Sequence, residues 1–398
     1  MSEHSAAPRV LITGLGYLAA PALSEALAGK RAAPPEVAPE ITGFEVSEGA
    51  PAFGFEAPDF KLEAYLPHFN TYVDRTSAFA LAAAKLALAD AGLLDQAARP
   101  AGVEVGCAYG TTMGCLEAMG IFWKKVKSAN PKFAPPLPFT HSYANSPSSL
   151  LCIEFGLRGS AATFSGERLA GVEALLFGFD QIAAGSAKIV LAGASESLTR
   201  ALHAHLLSEG RLSASGCATA WGEENDGVVP GEGAAFLVLE EAASAAARGK
   251  QAYAEVAGVG LGSGSALSPY LEAWDRAGEA AVQGLDLSAG PVLVVAATPE
   301  EPAVDSWEGP FWAKRLAKSP GSAAIAPKLF TGELMSVSPV LGTLLAALVL
   351  SGKAPKCGLP GARAFGEAGA SAEGPFSLAF AGAIDPLASA GIVALKKC

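Results

Sequence analysis

Residues 159–175, GSAATFSGERLAGVEAL, decide the fold of this chain. Small and apolar residues lead into a tight turn at Gly166, and a helix with regularly spaced apolar positions follows. A strand that enters a helix through a sharp turn exposes one side chain at the helix N-terminus, where free backbone N–H groups favour negative charge. Acyl-transfer folds place a nucleophile at such a turn, but here the turn carries Glu167 and Arg168. An arginine is not deprotonated in a protein, so Arg168 can be neither a nucleophile nor a general base.

The composition predicts a folded chain with a large buried core. Of its 398 residues, 51% are hydrophobic and 17% are charged, which argues against disorder. The net charge of −11 argues against a nucleic-acid-binding surface, because phosphate contacts need clustered Lys and Arg. One basic run, WKKVK at 123–127, has Lys132 just beyond it. This run is either a solvated helix face or a docking patch for an acidic partner.

The sequence predicts neither a metal nor a nucleotide cofactor. The six cysteines are scattered without a CxxC spacing, so a metal site is not expected. Gly14 and Gly16 follow a short apolar strand and mimic a dinucleotide-binding turn. The acidic residue that such a turn needs about twenty positions later is absent, so we expect no nucleotide here.

Two segments bear on membranes and on location. Residues 1–9 contain no apolar segment of a secretory signal, and we expect a cytoplasmic protein. The longest charge-free run, 334–352, has about the length of a membrane-spanning helix, but it contains serines, a proline and glycines. We predict that this run is a buried central helix and that the protein does not associate with a membrane.

Strand-like and helix-like segments alternate along the chain. We predict strands at 103–109, 187–195, 235–239, 253–261, 291–297, 376–382 and 390–395. We predict helices at 77–93, 114–126, 146–155, 269–285 and 305–318. Two further helices are predicted, one after Arg168 and one after Ser336. Such alternation predicts α/β layers with buried parallel strands.

Several motifs resemble those of the β-ketoacyl synthases of the thiolase superfamily, over nearly the whole chain. They are VLITGLG at 10–16, IVLAGASES at 189–197 and, most specifically, DGVVPGEGAAFLVLEE at 226–241. The resemblance implies an α/β, thiolase-like fold of two similar halves in a five-layered αβαβα arrangement. Residues 1–255 would form the N-terminal half and residues 256–398 the C-terminal half of one compact unit. Dimerisation through the strand near residues 160–165 is also implied.

The resemblance further implies that the three reactive residues of the family are replaced in this chain. The family's nucleophilic Cys falls at Arg168, its first His at Ala297 in VAATPEEPAVDSWE, and its second His at Glu333 in KLFTGE, where Lys328 is retained. Condensation requires a thiolate and two hydrogen-bond donors that stabilise an enolate. We therefore expect no catalytic residue at these vestigial positions, and neither condensation nor decarboxylation.

The replaced residues can still interact with each other. If the fold is kept, Arg168 and Glu333 meet in the former pocket, and we hypothesise that they form a bidentate ion pair that fills it. The alternative is that the two side chains point apart, into solvent or towards other charges such as Glu167.

Family members that lack this Cys are chain length factors, which pair with an active ketosynthase and shape the tunnel for the growing chain. The sequence GERLAGVEAL at 166–175 is similar to the EQAGGLDAL of those subunits, with Arg where they commonly carry Gln. The resemblance implies that helix 114–126 lines the tunnel, so Leu116, Met119 and Phe122 are tunnel candidates, although ordinary core packing explains their helical spacing equally well. Phe380 matches the family's gating aromatic residue.

Three functions remain open from the sequence. The first is a non-catalytic chain length factor of a type II polyketide or fatty-acid-like synthase, with an active ketosynthase as its heterodimer partner and acyl carrier protein as an indirect partner. The second is a homodimeric, ketosynthase-like binding or scaffold protein. The third is an enzyme with altered acyl chemistry that uses Glu333 or Lys328.

Overall fold

The computed structural model describes residues 7–30, 33–69, 71–95, 103–128, 131–218, 226–265, 269–297, 302–354, 363–364 and 375–398. The strands are β1 (Val10–Leu18), β2 (Gly106–Thr111), β3 (Ala161–Ser165), β4 (Ile189–Glu196), β5 (Gly233–Glu241), β6 (Ala254–Ser263), β7 (Val292–Val295), β8 (Ala323–Ile325), β9 (Arg363–Ala364), β10 (Leu378–Ile384) and β11 (Ser389–Lys396). The helices are α1 (Pro21–Leu27), α2 (Arg75–Asp90), α3 (Leu116–Ser128), α4 (Pro136–Thr140), α5 (Ser146–Phe155), α6 (Ala170–Ala183), α7 (Arg200–Ser208), α8 (Ala242–Ala247), α9 (Pro269–Ala281), α10 (Pro302–Arg315), α11 (Lys328–Thr331) and α12 (Val337–Leu350).

The strand order repeats between the first and second parts of the chain. The first five strands run β3-β2-β4-β5-β1, and the later strands run β6-β11-β10-β7-β8-β9 in the same continuous sheet. Read outwards from the middle, each part has two antiparallel strand pairs followed by two parallel pairs. The two runs join where residues 10–12 of β1 pair with residues 254–256 of β6. This repeat confirms the predicted α/β fold of two similar halves.

The helices form three layers around the two halves of the sheet. Helices α6 and α12 lie in the middle, where Val172 and Leu344 share one apolar core with residues of both halves, such as Leu237 and Leu395. A second core lies under α2 and α5, and a third under α9 and α10. Side chains alternate along each strand, so that Ala108 faces the central core while Tyr109 faces the outer one. The resulting order is the predicted αβαβα.

The glycines of β1 serve helix packing. A Cβ atom at Gly16 would overlap the backbone oxygen of Ala83 in α2, and a Cβ atom at Gly14 would lie 2.7 Å from that of Ala91. The helix is rich in alanine on the side that meets the strand, so strand and helix backbones approach closely. The sequence pattern that mimics a dinucleotide-binding turn thus has a packing explanation.

The two central helices also touch through a glycine. A Cβ atom at Gly171 in α6 would overlap the carbonyl oxygen of Ser336, which precedes α12. Helix α12 is apolar around most of its circumference, and nearly all of its residues are buried, which is the pattern of a helix inside a core. Within the described parts of the chain, no helix has both the length and the apolar character needed to cross a membrane.

Candidate functional site

The central turn places Arg168 in the protein interior. The N–H of Gly166 donates to the carbonyl oxygen of Thr111 at 3.2 Å, and the hydroxyl of Thr112 donates to the carbonyl oxygen of Glu167 at 3.2 Å. These bonds tie the turn between β3 and α6 to the end of β2. Arg168 follows at once and is only 1% exposed. A buried guanidinium is costly unless an anion lies beside it.

Glu333 supplies that anion. Nε of Arg168 donates to Oε2 of Glu333 at 2.9 Å, and Nζ of Lys328 donates to the same oxygen at 2.7 Å. The other oxygen, Oε1, accepts the Met335 N–H at 2.8 Å and the Ser338 hydroxyl at 2.7 Å. Arg168 and Glu333 therefore meet as predicted, and the alternative that they point apart is wrong. The predicted bidentate geometry is also wrong, because Oε1 is engaged by other donors.

The backbone around Glu333 holds its side chain in this position. Its N–H donates to the carbonyl oxygen of Val229 at 2.8 Å, and its own carbonyl oxygen accepts the N–H of Gly231 at 2.9 Å. The preceding Gly332 has a φ of +63°, a conformation that glycine adopts without a steric penalty. The segment between α11 and α12 is thus fixed against the glycine-rich segment that leads into β5.

The two cations keep the Glu333 carboxylate charged. Glu333 is fully buried, and burial alone raises the pKa of a carboxyl group. The charges of Lys328 and Arg168 outweigh this effect, with help from the hydrogen bonds of Lys328 and Ser338, so the pKa of Glu333 lies below its usual value. Glu333 is consequently an ionised hydrogen-bond acceptor and has no proton to donate.

Lys328 links this ion pair to Ala297. Its ammonium group also donates to the carbonyl oxygen of Ala297, while the N–H of Ala297 donates to a carboxylate oxygen of Glu308 at 2.8 Å. Ala297 itself is 3% exposed and presents only a methyl group. The structure therefore brings together Arg168, Ala297, Lys328 and Glu333, the four positions that the sequence comparison singled out.

One small cavity lies beside this cluster. A cavity of about 10 Å³ lies next to Lys328, and Thr331, Ser338 and Gly342 are among the residues that line it. A cavity must offer roughly 10–15 Å³ on this measure to hold one water molecule. The space can therefore take about one water and is far too small for an acyl chain.

A second buried carboxyl group, Glu196 at the end of β4, was not singled out from the sequence. It is fully buried and accepts hydrogen bonds from the hydroxyls of Thr111 and Ser336 at 3.0 and 2.7 Å. It also accepts the backbone N–H groups of Thr112 and Met113. Burial raises the pKa of Glu196 to about 7 despite these donors. The sequence offers one signal, an acidic residue directly after the apolar run IVLAGAS.

None of the three tunnel candidates on α3 is among the residues that line the cavity beside Lys328. Leu116 lines an open groove of about 940 Å³ between α3 and α7, with Ile121 and Leu198. Met119 is half-buried. Phe122 packs against Phe139 of α4, with ring centroids 5.0 Å apart. The groove has the volume of a small-molecule site, and the tunnel role of these residues stays a prediction.

Phe380 lies on the outer side of the second half of the sheet. It is fully buried, and its ring packs against Trp312 with centroids 5.2 Å apart. Its neighbours Ala379 and Ala381 face the central core instead. The segment is a regular part of β10, paired with β7 and β11. The gating role of Phe380 stays a prediction.

The described residues contain no group of three or more His, Cys, Asp or Glu side chains that could hold a metal ion. Five cysteines in this part of the chain, among them Cys107 and Cys115, are free thiols. Burial raises the pKa of the Cys115 thiol well above its usual value, so this thiol stays protonated at neutral pH and is a poor nucleophile.

Comparison with known proteins identifies the family. The family described as "Beta-ketoacyl synthase, N-terminal domain" matches residues 41–245. This match covers about half of the chain and includes the central turn. The chain belongs to the β-ketoacyl synthase family.

Relatives come from both fatty acid and polyketide synthesis. The chain is 29% identical over 262 residues to 3-oxoacyl-[acyl-carrier-protein] synthase 2 of Synechocystis sp., a match that covers 64% of this chain and 62% of the relative. It is 30% identical over 275 residues to the oxytetracycline polyketide putative beta-ketoacyl synthase 1 of Streptomyces rimosus, covering 65% of this chain and 63% of the relative. The chain thus spans less than two thirds of these curated relatives.

Solved structures show the same fold over the whole chain. The ishigamide ketosynthase/chain length factor superposes with a TM-score of 0.81 at 21% sequence identity, covering 99% of this chain and all of that one. At this identity the likeness establishes the fold. The chain therefore has the β-ketoacyl synthase fold, and Arg168 is bound to Glu333 in its interior.

Proposed function

We propose that this chain is a non-catalytic, ketosynthase-like subunit, a chain length factor, that pairs with an active ketosynthase in type II polyketide or fatty-acid-like biosynthesis. The observation that carries this proposal is the buried ion pair between Arg168 and Glu333 at 2.9 Å. In this arrangement a cation that cannot become a nucleophile occupies the central turn, and its position is fixed. The active partner would supply the Cys and both His residues, and would receive the acyl carrier protein.

The chemistry of the cluster supports a non-catalytic role. Stabilising an enolate requires donors aimed at its oxygen, whereas Ala297 has no side-chain donor and the Glu333 carboxylate would repel an enolate. An altered acyl chemistry at Glu333 finds no support, because four hydrogen bonds already engage its two oxygens. The described cavity beside Lys328, of about 10 Å³, is far too small for an acyl chain.

One face of the N-terminal half has the properties of a partner interface. Strand β3 is an edge strand whose ends are exposed, so its backbone can pair with another chain. Large apolar side chains are exposed on the segments before it: Ile121, Trp123, Phe133, Leu137, Phe139, Tyr143 and Ile153. Exposed apolar side chains in such number, with Phe139 and Tyr143 in ring contact at 5.5 Å, favour a protein interface.

We also propose that residues 1–255 form the N-terminal half of the fold and residues 256–398 the C-terminal half. The dimer interface would lie in the N-terminal half, centred on this face. An interface between two copies of this chain would use the same surface, since a two-fold dimer joins identical patches. The homodimeric scaffold is therefore the second candidate, and the exposed aromatic face supports both.

Co-expression with an active type II ketosynthase separates the two candidates. We expect a stable one-to-one complex, measured by size-exclusion chromatography with light scattering. A homodimer that forms in the presence of that ketosynthase and excludes it would favour the scaffold and contradict the chain length factor.

Replacing Trp123 with Ala is expected to weaken this complex about tenfold or more, because exposed aromatic anchors contribute a large share of interface energy. Trp123 is 49% exposed on α3. Trp307 is the matched control, since it is 39% exposed on α10, in the outer layer of the other half. Titration calorimetry would measure both variants, and equal losses for Trp123→Ala and Trp307→Ala would argue against an interface at this face.

Restoring a cysteine at the central turn is not expected to restore condensation. In Arg168→Cys the thiol stands at the N-terminus of α6, but Ala297 and Glu333 still offer no donor to an enolate. We expect no β-ketoacyl product by mass spectrometry with malonyl and acyl carrier protein thioesters, under conditions in which the partner ketosynthase is active. Condensation by this single variant would show that Ala297 and Glu333 do not occupy the positions of the two His residues.

A further inference from the structure

We propose that Glu196 is a proton-controlled clamp that sets how tightly the turn at residues 111–113, and with it the start of α3, is held against α12. The carboxyl group stands between these elements. Its contacts with Thr111, Thr112 and Met113 lie on the turn, and its contact with Ser336 lies at the residue before α12.

The turn that Glu196 holds is connected to the central site. The hydroxyl of Thr112 accepts the N–H of Ser336 at 3.2 Å and donates to the carbonyl oxygen of Glu167 at 3.2 Å. Gly114 donates its N–H to the hydroxyl of Thr111 at 2.9 Å, two residues before α3 begins at Leu116. A change at the Glu196 carboxyl is therefore passed directly to the first turn of α3 and to the segment that precedes α12.

The two carboxyl oxygens of Glu196 are bonded unequally. Oε1 accepts the hydroxyls of Thr111 and Ser336 and the N–H of Thr112. Oε2 accepts only the N–H of Met113, at a long 3.3 Å. A proton added to Oε2 leaves the three bonds to Oε1 in place and weakens the attraction for the Met113 N–H. Met113 packs against the apolar cluster of Leu198 and Met335, so it is the residue whose position responds.

Among the described residues, no cationic side chain forms a hydrogen bond or ion pair with Glu196. Its hydrogen-bond partners in the described chain are hydroxyls and backbone N–H groups, and the titratable groups that face it are Tyr109 on β2 and Cys115 just before α3. The pKa of each is raised, mainly by burial, and the charge of Glu196 adds to that shift. Both stay neutral near pH 7, so Glu196 is the group of this set that changes charge there. Arg168, Lys328 and Glu333 form the neighbouring cluster and neutralise one another in part.

The direction of the pH effect follows from the raised pKa. Between about pH 4.5 and pH 7 the folded protein keeps a proton on Glu196 that the unfolded chain has lost. The contribution of Glu196 to the free energy of unfolding is therefore largest below pH 4.5. It falls as the pH rises from 4.5 to 7 and is constant above pH 7. With one proton involved, the unfolding equilibrium constant increases up to about tenfold for each pH unit.

Urea unfolding of the full chain between pH 5 and pH 8.5 tests the proposal, with wild type and Glu196→Gln measured in parallel. We expect the ratio of the unfolding equilibrium constant of wild type to that of Glu196→Gln to increase by about tenfold per pH unit up to pH 7. Above pH 7 this ratio should be constant. Glu167→Gln is the matched control, because it alters a carboxyl group of the adjacent turn; a pH-dependent difference from wild type of the same form as that of Glu196→Gln would show that the effect is not specific to Glu196.

Hydrogen exchange gives a second, local readout. In wild type the amides of residues 112–114, corrected for the intrinsic pH dependence of exchange, should change protection between pH 6 and pH 8, and in Glu196→Gln they should not. If Glu196→Gln does not fold, Ser336→Ala replaces it: loss of one donor to the carboxylate should move the midpoint of the wild-type transition to higher pH. A pH dependence that is the same in wild type and in the variant that folds would overturn the proposal.

Discussion

Replacing Glu333 with Ala is expected to lower the free energy of unfolding by about 3–5 kcal/mol, the range for removing one member of a buried ion pair. The variant leaves Arg168 and Lys328, which are 1% and 4% exposed, without their shared carboxylate. It also removes the acceptor of the Met335 N–H and the Ser338 hydroxyl. Chemical denaturation followed by circular dichroism would measure the loss.

Two further variants make this result specific. Glu45 lies 3.9 Å from Arg200 in a pair whose side chains are 91% and 65% exposed, so Glu45→Ala should change stability little, as exposed pairs contribute little. The double variant Arg168→Met, Glu333→Gln should be more stable than the sum of its single changes predicts, because Arg168→Met removes the cation that Glu333→Gln deprives of its carboxylate partner. Additive effects would mean that the two residues are not coupled.

The fold could be predicted from the sequence because the alternation of strand-like and helix-like segments and the family-like motifs indicate the same α/β architecture. The predicted helix at 146–155 is α5, and the charge-free run at 334–352 contains α12. Ends of elements differ by a few residues. The strand predicted at 103–109 is observed at Gly106–Thr111, because tertiary pairing with β3 and β4 decides where a strand ends. The apolar sequence alone marks only its approximate place.

The candidate site was predictable in part. Arg168 and Glu333 could be placed together because the family fold brings their positions together, even though 165 residues separate them. The sharing of one oxygen by Arg168 and Lys328 could not be predicted, since it depends on how Met335 and Ser338 occupy the other oxygen. Glu196 was missed for a similar reason, because its donors come from separate parts of the chain and no local pattern connects them.

The role of Gly14 and Gly16 also could not be decided from the sequence. Gly14 and Gly16 were read as a weak imitation of a phosphate-binding turn, and the structure assigns them to close packing of β1 on α2. Both uses need a residue without a side chain, so the sequence cannot separate them. Only the identity of the neighbouring backbone decides which use applies.

Gly171→Ala is expected to destabilise the protein by about 2–3 kcal/mol. A Cβ atom at this position would overlap the carbonyl oxygen of Ser336 and lie 2.9 Å from Cγ2 of Val340. The helix propensity of alanine, worth about 1 kcal/mol over glycine, does not compensate for this overlap, because both partners are in the central layer and cannot relax cheaply. The two central helices would have to separate, and with them the segment that carries Glu333. Thermal unfolding would measure the change.

Gly166→Ala is the matched control for this prediction. Gly166 lies five residues earlier, in the turn before α6, and is exposed, and a Cβ atom there would meet no other atom within 4 Å. Its substitution should leave stability nearly unchanged. Because Gly171 lies only three residues after Arg168 in the chain, at the start of α6, Gly171→Ala should also weaken the coupling between Arg168 and Glu333 in a double-mutant cycle. An unchanged melting temperature for Gly171→Ala would mean that α6 and α12 are not in the close contact on which the placement of Arg168 beside Glu333 depends.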